Sequence, residues 1–242
     1  MSKESTEVIQ IQEIPITITW KEIKNVHLSV IPPKGNVRIS APLKMKRENI
    51  RAFAISKLDW IRKNQLKFKN QNREPNREYI EKESHYLLGN RYLLTLEASK
   101  RPSLSIYKSK LLLKSPSSTS PEKKKEIFNK YYRKTLMEVV EGLLPKWKKI
   151  ISVPEFEFSI RIMKTRWGSC HHYKRKIWLN LELAKKPIPC IEYVLVHEMV
   201  HLLEDSHNKR FIRLMDTYLP NWRELKSTLN DLPIHGEDIW YE

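Results

Sequence analysis

The sequence predicts an α+β chain in which a β-rich, basic first part precedes a helix-rich second part. Three observations carry that reading. Apolar and polar residues alternate in several short runs before residue 115, as half-buried strands require. In later segments apolar residues recur three and four positions apart, as amphipathic helices require. Between the two patterns lies Ser115-Pro116-Ser117-Ser118-Thr119-Ser120-Pro121, the clearest linker in the chain. The expected division is 1–117 for a basic β/α lobe and 118–242 for a second lobe.

Ile14, Ile16, Ile18 and Trp20 alternate as a strand, as do Val26, Leu28 and Val30, then Val37, Ile39 and Ala41. Pro32-Pro33-Lys34-Gly35-Asn36 is the expected turn between the last two. One helix follows, with Ile50, Phe53, Ala54, Leu58, Ile61 and Gln65 on its core stripe, and Trp60 and Phe68 are expected to pack inward beside it. Residues 86–88 and 92–96 form a predicted hairpin about Gly89-Asn90, and 103–107 with 111–113 another pair. Ser120 caps and Pro121 opens a long helix with Ile127, Phe128, Tyr131, Val139, Leu143 and Leu144 inward, which Pro145 should kink or end. Phe156, Phe158, Ile160 and Ile162 alternate as a strand, 177–180 is a second, and 166–175 connects them. No internal repeat is visible.

Composition narrows the class. Hydrophobic residues make up 40% and charged residues 30% of 242, with only 5 Gly, which excludes long disorder. No run approaches 18 apolar residues, and Met1-Ser2-Lys3-Glu4-Ser5-Thr6-Glu7 lacks an apolar signal region, so a cytoplasmic protein without membrane contact is expected. Cys170 and Cys190 lack Cys-x-x-Cys spacing and read as packing residues. The net charge of +17 is uneven: residues 1–150 carry 32 Lys and Arg against 15 Asp and Glu, and residues 151–242 carry 13 of each. Lys44, Lys46, Arg47, Arg51, Lys57, Arg62, Lys63, Lys67 and Lys69 lie along the first helix. Such a run suits a solvated face or a sequence-independent contact with nucleic acid.

The most informative segment is Val196-His197-Glu198-Met199-Val200-His201 with His207 beyond it. On a helix, His197 and His201 project from one face, so both imidazoles can bind one ion. Glu198 sits one step round, where a carboxylate can take a proton from a metal-activated water. With 8 His and 23 Glu, chance gives His-Glu-x-x-His in roughly 2–3 chains per hundred, so the pattern is moderately specific. Catalytic zinc keeps three protein ligands. His207 is the expected third, delivered by a bend through Glu204-Asp205-Ser206 into a helix capped by Asp205 or Ser206 and carrying Phe211, Leu214, Met215 and Tyr218. Glu204 is the rival ligand. Arg166 and Trp167 are either a core pair or donors aimed at substrate, and the polar His171, His172 and Tyr173 follow them.

Several of these pieces occur together in one known family. Lys164-Thr165-Arg166-Trp167-Gly168-Ser169-Cys170, Ile177-Trp178-Leu179-Asn180, Glu192-Tyr193-Val194-Leu195-Val196-His197-Glu198, His207-Asn208 and Phe211 resemble the YgjP-like metallopeptidase domain, of the zincin group that includes WLM and SprT-type proteases. The resemblance extends from about Trp20 to about Leu232 as one unit, more loosely through Leu28-Ser29-Val30, residues 37–42, Trp60-Ile61 and Leu88-Gly89-Asn90-Arg91-Tyr92. Val26-His27 stands where more basic residues are expected, a departure confined to the first third. The resemblance implies a zincin-like catalytic lobe: an active-site helix and a short sheet with an edge strand beside the metal. It also implies Zn2+ on His197, His201 and His207, with Glu198 as general base.

The expected activity is cleavage of a peptide or protein substrate by Glu198-assisted attack of water. Two alternatives keep the metal: hydrolysis of a nucleoside triphosphate with Arg166 gripping phosphates, and a nucleic-acid-associated protease. A basic nucleic-acid-binding module with purely structural zinc has no use for Glu198.

Overall fold

A computed structural model of the chain describes residues 5–31, 34–70, 73–74 and 76–235. They pack as two units, one of residues 5–74 with 233–235 and one of residues 76–232. The division expected at 117 thus falls inside the second unit. The Ser/Pro run is a tight turn, with the Thr119 amide on the Pro116 carbonyl at 3.0 Å. The helix beyond it packs back on the preceding strands, the Tyr132 hydroxyl donating to the Tyr86 carbonyl at 3.0 Å.

In the first unit, β1 (Ser5–Ile11), β2 (Ile14–Lys21), β3 (His27–Ile31) and β4 (Asn36–Pro42) form a sheet of order β1-β2-β4-β3. Two antiparallel hairpins join through the parallel pair β2·β4. Alternation places Ile16, Ile18, Val37 and Ile39 on one face, where they meet Ile50, Ala54, Leu58, Ile61 and Phe68. β1 escaped notice because its first residues are polar and Val8 stands outward at 63% exposure. The expected turn residues Pro32 and Pro33 lie outside the described residues.

The single helix expected here is two, α1 (Arg47–Ser56) and α2 (Leu58–Asn70). The Ser56 hydroxyl bonds back to the Phe53 carbonyl at 2.8 Å and Lys57 leaves helical geometry at φ −110°, ψ 7°. The core stripe continues across this break. Phe68 packs inward as expected, but Trp60 does not: it is 46% exposed. A two-residue strand, β5 (Arg73–Glu74), ends this stretch.

The second unit opens with β6 (Ser84–Leu87), β7 (Asn90–Ala98), β8 (Ser103–Tyr107) and β9 (Lys110–Ser115), in the order β6-β7-β9-β8. This repeats the connectivity of the first sheet, parallel central pair included. The repeat is one of topology and left no visible trace in the residues. The β6–β7 turn is at Leu88 and Gly89, with φ of 49° and 83°, one residue earlier than expected. Leucine tolerates that conformation because the Leu88 amide bonds the Ala184 carbonyl at 2.8 Å.

Ser120 caps and Pro121 opens α3 (Pro121–Ile151), which runs on through Pro145. Its buried residues are Phe128, Tyr132, Leu136, Val140, Trp147 and Ile151, so the expected stripe is rotated and shares only Phe128. Then come β10 (Glu157–Arg161), β11 (Gly168–His171) and β12 (Lys176–Asn180), a sheet of order β10-β12-β11. The segment 166–175, expected to be a connection, therefore contains the edge strand β11. A 3-10 turn at Leu181–Lys185 leads to α4 (Ile188–Val200), α5 (Lys209–Tyr218), α6 (Trp222–Asp231) and β13 (Ile234–His235), which pairs with β5. Among the described residues no helix is long and apolar enough to cross a membrane.

Candidate metal centre

α4 is apolar on nearly every side, and its buried residues run from Cys190 to Val200. A helix so enclosed is positioned by packing, so its last turn is a rigid platform. His197 lies in that turn and His201 caps it at φ −64°, ψ −16°, still helical enough to keep both rings on one face. The chain then reverses, with the Ser206 hydroxyl on the Glu204 carboxylate at 3.1 Å. Asn208, rather than Asp205 or Ser206, caps α5: its side-chain oxygen accepts from the amides of Arg210 and Phe211 at 2.8 and 3.1 Å. That cap holds His207 facing α4. Phe211, 2% exposed, lies beneath all three imidazoles, its ring centre 5.0, 4.6 and 4.7 Å from those of His197, His201 and His207.

The three rings converge. His207 Nε2 is 3.0 Å from His197 Nε2 and 3.1 Å from His201 Nε2. His201 Nδ1 lies 3.0 Å from the Glu204 carbonyl, which fixes its proton there and leaves the Nε2 lone pair facing the cluster. Burial, then the charges of His201, His207 and Lys226, push His197 down to about 3; burial also lowers His201 and His207. All three are therefore neutral near pH 7, the state a metal ligand needs. Ligand nitrogens about 2.0–2.1 Å from a tetrahedral ion stand roughly 3.3 Å apart, so this donor set fits a divalent metal with little adjustment. The Glu204 carboxylate, turned toward Ser206 and Arg210, stands outside the cluster.

Glu198 lies one step round the same turn and is only 6% exposed. Burial raises its carboxyl to about 8, and the Arg166 charge pulls it back. A divalent cation at the histidines would act in the same direction as Arg166. The carboxylate lies flat against β11 at Gly168, where a Cβ would come within 2.6 Å of Glu198 Oε1.

These groups line one cleft of about 500 Å³, with Arg166, Cys170 and Tyr193 on its walls and Lys226 of α6 among its lining residues. Arg166 is placed through its backbone. Asn180, fully buried, donates to the carbonyls of Met163 and Arg166 at 2.8 and 2.7 Å, and its own amide bonds the Trp167 carbonyl at 2.8 Å. Trp167 is 7% exposed under the Lys186 ammonium, so it builds the wall while Arg166 reaches solvent. His172 also borders the cleft, with Nδ1 3.2 Å from the His201 carbonyl; His171 ends β11 and Tyr173 belongs to the turn beyond it.

A family description, YgjP-like, metallopeptidase domain, matches residues 24–232. The chain belongs to the YgjP-like metallopeptidase family. At family level this YgjP-like chain is thus a peptide-bond hydrolase that uses a metal. Among solved structures, the crystal structure of the metallopeptidase zymogen of Pyrococcus abyssi abylysin is similar at 23% identity, over 37% of this chain and 90% of that chain, with a TM-score of 0.35. No curated protein matches. Gly168, Asn180 and Lys226 stand at or behind this cleft without a motif that marks them in the sequence of this YgjP-like chain. The first two lie inside segments that carry the family resemblance, and for Asn180 its place between Leu179 and Leu181 is the available signal. Lys226 lies on α6, an element the periodicity reading did not find.

Proposed function

We propose that this chain is a zinc peptidase in which His197, His201 and His207 hold the ion and Glu198 is the general base. The observation that carries the reading is the convergence of three neutral imidazole nitrogens beside one buried carboxylate in a single cleft. Zinc bound there would supply Lewis acidity, polarising a peptide carbonyl and making water nucleophilic near neutral pH. Glu198, held against Gly168, takes the proton of the attacking water and passes it to the departing amine. Arg166 offers a cation to the carbonyl oxygen as charge develops on it. β11 pairs with β12 on one side only among the described residues, so its other edge can align an extended peptide through main-chain hydrogen bonds.

The test is to load the protein with zinc and incubate it with an unfolded protein and, separately, with nucleoside triphosphates. New peptide termini that vanish in Glu198→Gln support the reading. Phosphate release without peptide cleavage replaces it with the nucleotide reading.

A further inference from the structure

We infer that the outward face of α2 binds single-stranded nucleic acid without sequence preference, by stacking a base on Trp60 between lysines that hold the phosphates. Between residues 5 and 74 the chain has fourteen Lys and Arg against six Asp and Glu. In α2 itself Arg62, Lys63, Lys67 and Lys69 face one acid, Asp59. Leu58, Ile61 and Phe68 are buried in the core of this unit, which fixes the rotation of the helix and turns the opposite side to solvent. On that side Trp60, Lys63 and Lys67 follow one another three or four residues apart, all exposed, and the exposed Lys57 stands just before the helix at the break from α1. Residues so spaced sit about 5–6 Å from one another on one helical face, so the aromatic ring lies within a row of cations.

An exposed indole in a cationic row is the arrangement that stacks bases and neutralises phosphates together. A lipid surface shares the phosphate chemistry, but a membrane-lying helix needs a free apolar face, and here that face is spent on the sheet. Double-stranded nucleic acid would satisfy the lysines and leave Trp60 without a base to stack on.

Fluorescence anisotropy of the full chain with a labelled oligothymidine, from 50 to 200 mM salt, tests this. Affinity should fall steeply with salt, and replacing Lys57, Lys63 and Lys67 with Gln should reduce the log–log salt slope by about 2, near 0.7 per lost phosphate contact. Trp60→Ala should weaken binding about tenfold while Trp60→Phe retains most of it. These exposed positions are remote from the core, and unchanged thermal melts and unchanged peptide cleavage would show that fold and metal centre are intact. Absence of binding at 50 mM salt, an unchanged slope in the triple variant, full affinity in Trp60→Ala, or capture by phosphatidylserine vesicles in preference to the oligonucleotide each overturns the inference.

Discussion

Gly168 of β11 lies directly against the carboxylate of Glu198 of α4, so close that a β-carbon on residue 168 would stand 2.6 Å from Oε1. The Glu198 carboxylate is packed against a strand backbone where any side chain at residue 168 would collide with it. Gly168→Ala should therefore displace Glu198 and lower kcat on a peptide substrate by about 10²-fold, as a misplacement near 1 Å does, while metal content stays unchanged. Activity within about twofold of wild type would show that the carboxylate tolerates the shift.

Glu198→Gln tests the same carboxylate chemically. The amide matches its size but cannot accept a proton, so the variant should fold, retain metal and lose about 10²–10⁴ in turnover. A variant that still cleaves peptides at most of the wild-type rate removes Glu198 from the mechanism.

The third ligand is decided by comparing His207→Ala with Glu204→Ala. The cluster contains His207 Nε2, whereas Glu204 presents its carbonyl to His201 and its carboxylate to Ser206. Elemental analysis after dialysis should find His207→Ala depleted and Glu204→Ala close to full occupancy. The reverse pattern would reassign the ligand.

Asn180 acts at one remove, through the carbonyls of Met163 and Arg166. Asn180→Ala removes the donor that holds those part-buried carbonyls and should cost about 1–3 kcal/mol in stability. Its activity should fall further than the melting temperature alone explains, because Arg166 loses its place. Peptide kinetics at a temperature where the variant is fully folded distinguish the two, and unchanged kcat and KM there would reduce Asn180 to a packing residue.

His85 gives the pH dependence of the fold. Buried among Tyr79 and Phe128, it is pushed down to about 4, burial outweighing the nearby Glu83 carboxylate. The unfolded chain binds this proton near the ordinary value of 6.5 while the folded one does not, so stability is present above about 6.5 and is lost as pH falls toward 4. The loss is at most about 1.4 kcal/mol per pH unit. Glu198 has the opposite sign in metal-free protein, since a raised carboxyl stabilises as pH falls from about 8. The clean measurement is thus the difference between wild type and His85→Gln in urea melts at pH 7 and pH 5. Equal slopes would show that His85 does not titrate with folding.

The alternation through Ile14, Ile16, Ile18 and Trp20, and that from Val37 to Ala41, could be read directly, because a half-buried strand imposes its period on the residues themselves. β1 and β11 could not, being short or polar and made strands by their neighbours. The rotation of α3 was misread for a related reason: in Ile127-Phe128 and Tyr131-Tyr132 adjacent residues are both apolar enough to face inward, and only packing chooses between them.

The sequence by itself determined the donor set: His197 and His201 one helical turn apart, Glu198 between them and His207 within reach. Spacing on a helix is a local property, and so is the chemistry of imidazole and carboxylate. Only the tertiary structure decided which groups surround that set. Gly168 against Glu198, Phe211 beneath all three imidazoles, Asn180 behind Arg166 and Lys226 from α6 are brought there by the packing of separate elements. Trp60 followed the same rule in the first unit, its exposure decided by which residues of α2 meet the sheet. Contacts between distant segments depend on the relative placement of whole elements, and no local pattern of residues encodes that placement.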